Sequence, residues 1–217
     1  MRIGQLAPDF TAQTTIGPIR FHEWLGDAWG IIFSHPKDFT PVCTTELGQV
    51  ARLEPEFAKR GVKVIGLSVD PVDRHDAWVV DIARTQGATP HFPMIGDTDL
   101  VVSKLYDMLP EEAGDSCEGR TAADNQTVRT VYVIGPDKKI KLILIYPMTT
   151  GRNFDEILRA VDSLQLTTSH RVATPANWNP GDSVIIAGSV SNEEAKQLYP
   201  EGWQELTPYL RVVPQPK

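Results

Sequence analysis

The stretch Ile31-Ile32-Phe33-Ser34-His35-Pro36-Lys37-Asp38-Phe39-Thr40-Pro41-Val42-Cys43-Thr44-Thr45-Glu46 decides the fold. Its apolar head, Ile31 to Ser34, predicts a short buried strand. Thr40 and Pro41 predict a helix start, because threonine serves as an N-cap and proline suits the first helical position. Cys43 then stands at the third helical position. Strand, turn and helix in that order bring one cysteine to the free N–H groups and positive end of a helix. Both favour the thiolate, the reactive form of cysteine.

Downstream, Leu47, Val50, Ala51, Phe57 and Ala58 share one helical face, with Pro55 as a kink and Gly61 as a stop. Val62 to Val69 predicts a second buried strand, Asp73 to Gln86 a helix ended by Gly87, Phe92 to Ile95 a short strand, and Asp99 to Met108 a helix. The segment from Glu111 to Asn125 is polar and reads as an exposed loop. Arg129 to Ile134 and Ile140 to Tyr146 predict a hairpin across Gly135-Pro136-Asp137-Lys138. Asn153 to Leu164 predicts a helix that opens on a capping box, Asn153 with Glu156. Strands alternating with helices place the chain in the α/β class, with a central mixed sheet flanked by helices.

Composition narrows the function. The 217 residues carry a net charge of −7, which argues against nucleic acid or an anionic membrane as partner. No apolar run suggests a signal peptide or reaches bilayer length. Two cysteines make no disulfide framework, so a cytoplasmic location with reduced thiols is expected. The five histidines show no metal-ligand spacing, and His75 reads as part of a solvated helix face. There is no phosphate-binding glycine loop. No cofactor and no metal are implied.

Pro36-x-x-x-Thr40-x-x-Cys43 resembles the signature of the peroxiredoxins, and the rest of the chain resembles their one-cysteine (peroxiredoxin-6-like) branch. Gly4-x-x-Ala7-Pro8-Asp9-Phe10, Arg129 to Asp137 and Tyr146 to Phe154 extend the likeness along most of the sequence. The resemblance implies a thioredoxin-like fold over 1–166 and a small C-terminal dimerisation arm over 167–217. The latter holds five prolines between Pro175 and Pro214, with a strand over Asp182 to Ile186 and a helix over Asn192 to Tyr199. It has too little apolar sequence to be expected to form its own core. It also implies a homodimer, with assembly into a larger ring left open.

The activity implied is reduction of hydrogen peroxide and organic hydroperoxides through a sulfenic acid on Cys43. Thr40 offers its hydroxyl to the thiolate or the peroxide, and Pro36 shields the pocket. Arg129 supplies the fixed cation, with Arg152 as a second, Glu46 as its anchor and His35 at the peroxide. Cys117, between Asp115 and Glu118, matches no resolving cysteine, so an external thiol such as thioredoxin or glutathione is expected to close the cycle. A Cys43–Cys117 disulfide and an oligomeric chaperone stand as alternatives. Some relatives also hydrolyse phospholipids with a serine, a histidine and an aspartate. His22 and Asp137 match two of these, but Ala28 stands at the serine position, so no phospholipase activity is expected.

Overall fold

The computed structural model describes residues 1–111 and 126–216. Cys117 and the expected loop around it therefore lie outside the described residues. The chain divides into two compact units, 1–154 and 155–217. The division falls at the start of a helix, whereas the sequence places it at that helix's end.

The first unit is built on a seven-stranded sheet. Its strands are β1 (Thr11–Thr14), β2 (Gly17–Arg20), β3 (Trp29–Ser34), β4 (Val62–Ser68), β5 (Met94–Gly96), β6 (Arg129–Ile134) and β7 (Ile140–Tyr146), in the order β2-β1-β5-β4-β3-β6-β7. β3, β4 and β5 run parallel, and the pairs β3–β6 and β6–β7 are antiparallel. The sheet is mixed, as expected. The Val62–Ser68 and Arg129–Ile134 strands are almost wholly buried, which is why they read as continuous apolar runs.

Side-chain alternation divides the core. Ile32, Ile65, Leu67, Ile95 and Tyr132 point to one face, where Phe10, Phe21, Leu25, Tyr106 and Met108 cover them. Phe21 and Leu25 belong to α1 (Phe21–Leu25), and Val102 of α4 (Val101–Leu105) joins the same cluster. On the other face Phe33 meets Phe92 and Phe154 edge-on, with ring centroids 5.6 and 5.9 Å away. A Cβ on Gly66 would come within 3.3 Å of the Phe33 ring, so the strand stays bare there to seat the aromatic cluster. Glu46 ties α2 (Pro41–Lys59) to this face, and α2 packs on α3 (Val72–Gln86).

Several expectations are refined. α2 runs unbroken through Pro55 to Lys59, and Gly61 follows it in the left-handed region. Ala58 is exposed and does not share the buried face. α4 is shorter than expected, because Asp97 and not Asp99 receives its first N–H groups, at 3.0 Å from Val102 and 2.7 Å from Ser103.

The second unit contains most of α5 (Phe154–Ser169), then β8 (Val172–Ala173), β9 (Val184–Ile186), α6 (Asn192–Leu198), β10 (Gln204–Thr207) and β11 (Leu210–Val213). The last strands form a four-stranded sheet, β10-β11-β9-β8. Against expectation this unit has a core of its own, made of Val172, Trp178, Val184, Ile186, Val190, Ala195 and Val213. A single tryptophan supplies the bulk that the count of apolar residues underestimates. α6 opens on a full capping box between Ser191 and Glu194.

Candidate active site

The path from β3 to α2 builds the site. Phe39 adopts a left-handed conformation with φ of 57°, a turn that costs a non-glycine residue about 1–2 kcal/mol. It delivers Thr40 in extended geometry at the N-cap and Pro41 at the first helical position. Cys43 then falls at the third, as the spacing predicts. It is fully buried, at 0% exposure.

Thr40 holds the cap position without a side-chain cap bond. Its Oγ1 donates instead to the Lys37 carbonyl at 2.8 Å, so the hydroxyl proton braces the turn and is not given to sulfur. Its backbone carbonyl accepts from Thr44 N at 3.0 Å and Thr44 Oγ1 at 2.8 Å. Pro36 is buried in the same turn.

Arg129, first residue of β6, reaches the sulfur: Nη1 donates to Cys43 Sγ at 3.4 Å and to Glu46 Oε2 at 2.7 Å. Its Nε donates to the Met148 carbonyl at 2.8 Å. Arg152 grips the same carboxylate, with Nε on Oε1 at 2.9 Å, Nη2 on Oε2 at 2.7 Å and its own backbone N–H on Oε1 at 2.8 Å. Its plane lies over the Phe33 and Phe154 rings, 5.3 Å from each. Burial tends to raise the Glu46 carboxyl, but the two arginines outweigh it and hold it below its ordinary value. One anionic glutamate thus fixes two buried cations, and one of those cations faces the thiol. Removing water makes each such contact count for more.

The structure brings Cys43, Arg129, Glu46 and Arg152 together. It does not direct the His35 side chain to any of them by a hydrogen bond. His35 is fully buried, and its Nε2 faces Asp38 Oδ1 at 2.7 Å. Its ring lies 5.2 Å from Trp78, whose Nε1 donates to Thr44 Oγ1 at 3.2 Å, beside Cys43.

His75 corrects the sequence reading most sharply. It is fully buried, not solvated, with Nδ1 2.6 Å from Asp38 Oδ2 and Nε2 3.0 Å from the Ile95 carbonyl. His35, Asp38 and His75 form a cluster that no short spacing announces. The signal was available: His75, Trp78 and Ile82 fall at helical spacing on the buried face of α3.

His22 and Asp137 stay apart in their bonding. His22 Nε2 faces the Ala7 carbonyl at 2.8 Å, and Asp137 Oδ2 accepts from Lys141 at 2.7 Å. Among the described residues no helix is long and apolar enough to cross a membrane.

The comparisons agree with this geometry. Residues 3–143 match the AhpC/TSA family, and 163–202 match the C-terminal domain of 1-Cys peroxiredoxin. Peroxiredoxin-6 of Rattus norvegicus is 55% identical over 223 residues, covering 99% of this chain and 97% of its own. That of Homo sapiens is 53% identical with the same coverage. Among solved structures, a cysteine-to-serine mutant of the peroxiredoxin 6 of Arenicola marina superposes with a TM-score of 0.91 at 47% identity, over 100% of this chain and 99% of its own. A yeast mitochondrial 1-Cys peroxiredoxin, whose thiol is resolved via glutathione/thioredoxin systems, gives 0.89 at 50% identity, over 99% of each chain. A thioredoxin-like mixed sheet, a helix-start cysteine faced by an arginine, and likeness along the whole chain place this protein in the peroxiredoxin family, as a thiol-dependent peroxidase of the 1-Cys type.

Proposed function

We propose that Cys43 is the peroxidatic thiolate and that Arg129 is the group that stabilises charge during its attack. The carrying observation is the 3.4 Å contact from Arg129 Nη1 to Cys43 Sγ, with Glu46 holding the guanidinium in place. The thiolate attacks one peroxide oxygen, an S–O bond forms and the O–O bond breaks. The departing oxygen takes a proton and leaves as water or alcohol, and Cys43 is left as sulfenic acid. A first external thiol then forms a mixed disulfide with release of water, and a second restores the Cys43 thiol. Thr40 and Pro36 shape the turn around the sulfur, and Arg152 acts with Arg129 through Glu46.

Hydrogen peroxide and organic hydroperoxides are the proposed substrates, and thioredoxin or glutathione the proposed reductant. The naming of both thiol systems for the yeast relative supports the latter. A homodimer and a cytoplasmic location are the remaining proposals. Exposed Leu206 and Tyr209 give the second unit apolar surface for a partner copy, and a working free thiol suits a reducing compartment. Phospholipase activity by the serine route is not proposed, because Ala28 offers no nucleophilic oxygen.

The test is intact mass after one equivalent of hydrogen peroxide with dimedone present, on wild type and Cys117→Ser. A dimedone adduct on Cys43 in both supports the one-cysteine cycle. Loss of two hydrogens in wild type, with the adduct only in Cys117→Ser, makes Cys117 the resolving thiol. No rapid reaction in either rejects Cys43 as the peroxidatic residue.

A further inference from the structure

The loop after β7 is fixed to the site by its backbone, and the Met148 side chain takes no part in the fixing. The Met148 carbonyl accepts from Arg129 Nε at 2.8 Å, the Thr150 N–H donates to the Pro147 carbonyl at 3.1 Å, and the Arg152 N–H donates to Glu46 Oε1 at 2.8 Å. Gly151 lies against α2: a Cβ there would stand 3.4 Å from Cγ1 of Val42, the residue before Cys43. The loop is thus placed beside the sulfur by two routes, through Arg129 and through Val42. Met148 itself is 40% exposed, an unbranched apolar side chain standing in solvent next to a fully buried thiol.

The open edge of Arg129 lies on the same side. A guanidinium carries Nε–H and one Nη2–H side by side, and this is the edge that takes a carboxylate in bidentate fashion. Arg152 uses that edge on Glu46. In Arg129 the same edge gives Nε to the Met148 carbonyl and leaves Nη2 with no hydrogen-bond partner among the described residues, while Nη1 is taken up by Cys43 Sγ and Glu46. Arg129 keeps 3% of its surface, and Nη2 is not among the polar atoms sealed from solvent. An unused donor on a buried cation that still meets the surface marks where a peroxide oxygen is received, next to the Met148 carbonyl.

We propose that Met148 is a specificity-determining residue: its side chain borders the opening at Arg129 Nη2 and packs against the carbon tail of an organic hydroperoxide. This rests on the peroxidase reading and says which substrates within it the site favours. Hydrogen peroxide has no carbon to bury and gains nothing from the contact. A hydroperoxide with an apolar substituent removes its own surface and that of Met148 from water together. The thioether bends to tails of different shape, so the gain extends to apolar substituents as a class. The tail leaves with the alcohol when the O–O bond breaks.

The test is the second-order rate of Cys43 oxidation, followed by stopped-flow tryptophan fluorescence, with cumene hydroperoxide and with hydrogen peroxide. It is measured on wild type, Met148→Ala, Met148→Gln and Met148→Leu. The readout is the ratio of the two rates on each protein, which cancels any effect of a substitution on the thiolate or on the hold of Arg129. Met148→Ala and Met148→Gln should lower that ratio by about fivefold to tenfold, because shortening the side chain or making it polar removes the apolar contact. Met148→Leu should keep it within about twofold of wild type. A ratio unchanged in Met148→Ala, or lowered as far in Met148→Leu as in Met148→Ala, overturns the proposal. Should Met148→Ala fail to fold, Met148→Gln against Met148→Leu decides by the same criterion. A wild type that reacts with neither peroxide sinks the peroxidase reading and this proposal with it.

Discussion

At the scale of single residues, charge placement governs the site. Arg129→Gln keeps a side chain of moderate size and removes the cation facing sulfur. Loss of one preorganised donor of this kind costs about 10²–10³ in rate, which stopped-flow oxidation of Cys43 by peroxide would register. Glu46→Gln acts on stability. It leaves two buried arginines without their anion, and breaking a buried pair this way costs about 3–5 kcal/mol. The sign with pH follows from the depressed carboxyls of Glu46 and Asp38. In the unfolded chain such groups titrate near about pH 4. Their contribution is therefore complete above that value and is withdrawn as pH falls through the depressed folded values. Urea midpoints at about pH 7 and pH 3 should show wild type losing more on acidification than Glu46→Gln.

At the scale of elements, α2 presents the cysteine, and α3 sets where α2 lies. A Cβ on Gly48 would stand 2.5 Å from Cβ of Gln86, an atom that no rotamer change can withdraw. Alanine is the better helix former by about 1 kcal/mol. The overlap outweighs that gain, so Gly48→Ala should destabilise by about 1–3 kcal/mol by urea unfolding. This contrast between local and tertiary terms explains what was legible in the sequence. β3, β4, β6 and β7 were readable because buried strands are continuous apolar runs bounded by turns. β10 is exposed along most of its length and β8 has two residues, so neither leaves a pattern. Cys43, Arg129, Glu46 and Arg152 were legible as a motif and its aligned partners. Asp38 and His75 were not, because their link joins the β3–α2 turn to the start of α3, far apart in sequence. A histidine on an amphipathic helix reads as polar until its partner is known.

At the scale of the whole molecule, the second unit is stabilised by its own tryptophan. Trp178 is buried, donates from Nε1 to the Asp182 carbonyl at 3.1 Å and receives Arg159 Nη1 on its own carbonyl at 2.9 Å. Trp178→Ala should cost about 3–5 kcal/mol. Hydrogen exchange should show the loss in β9 and β11, with the amides of α2 keeping their protection. Loss of protection across both units together would mean that they unfold as one cooperative block. The prolines put the change of character near residue 167, one helix later than the division at 154/155, and the core went unread because a count of apolar residues does not see how one large ring fills a small interior.

The complete burial of Cys43 makes its sulfur a clock. A thiol reagent too bulky to enter the folded site can react only while the first turn of α2 is unwound. On a Cys117→Ser background, the labelling rate would then equal the opening equilibrium multiplied by the reagent's intrinsic rate. Plotting that rate against reagent size separates molecules that slip in from those that must wait. A thiol reagent of protein size belongs to the second group, so its reaction with the reduced cysteine is paced by how often that turn lets go.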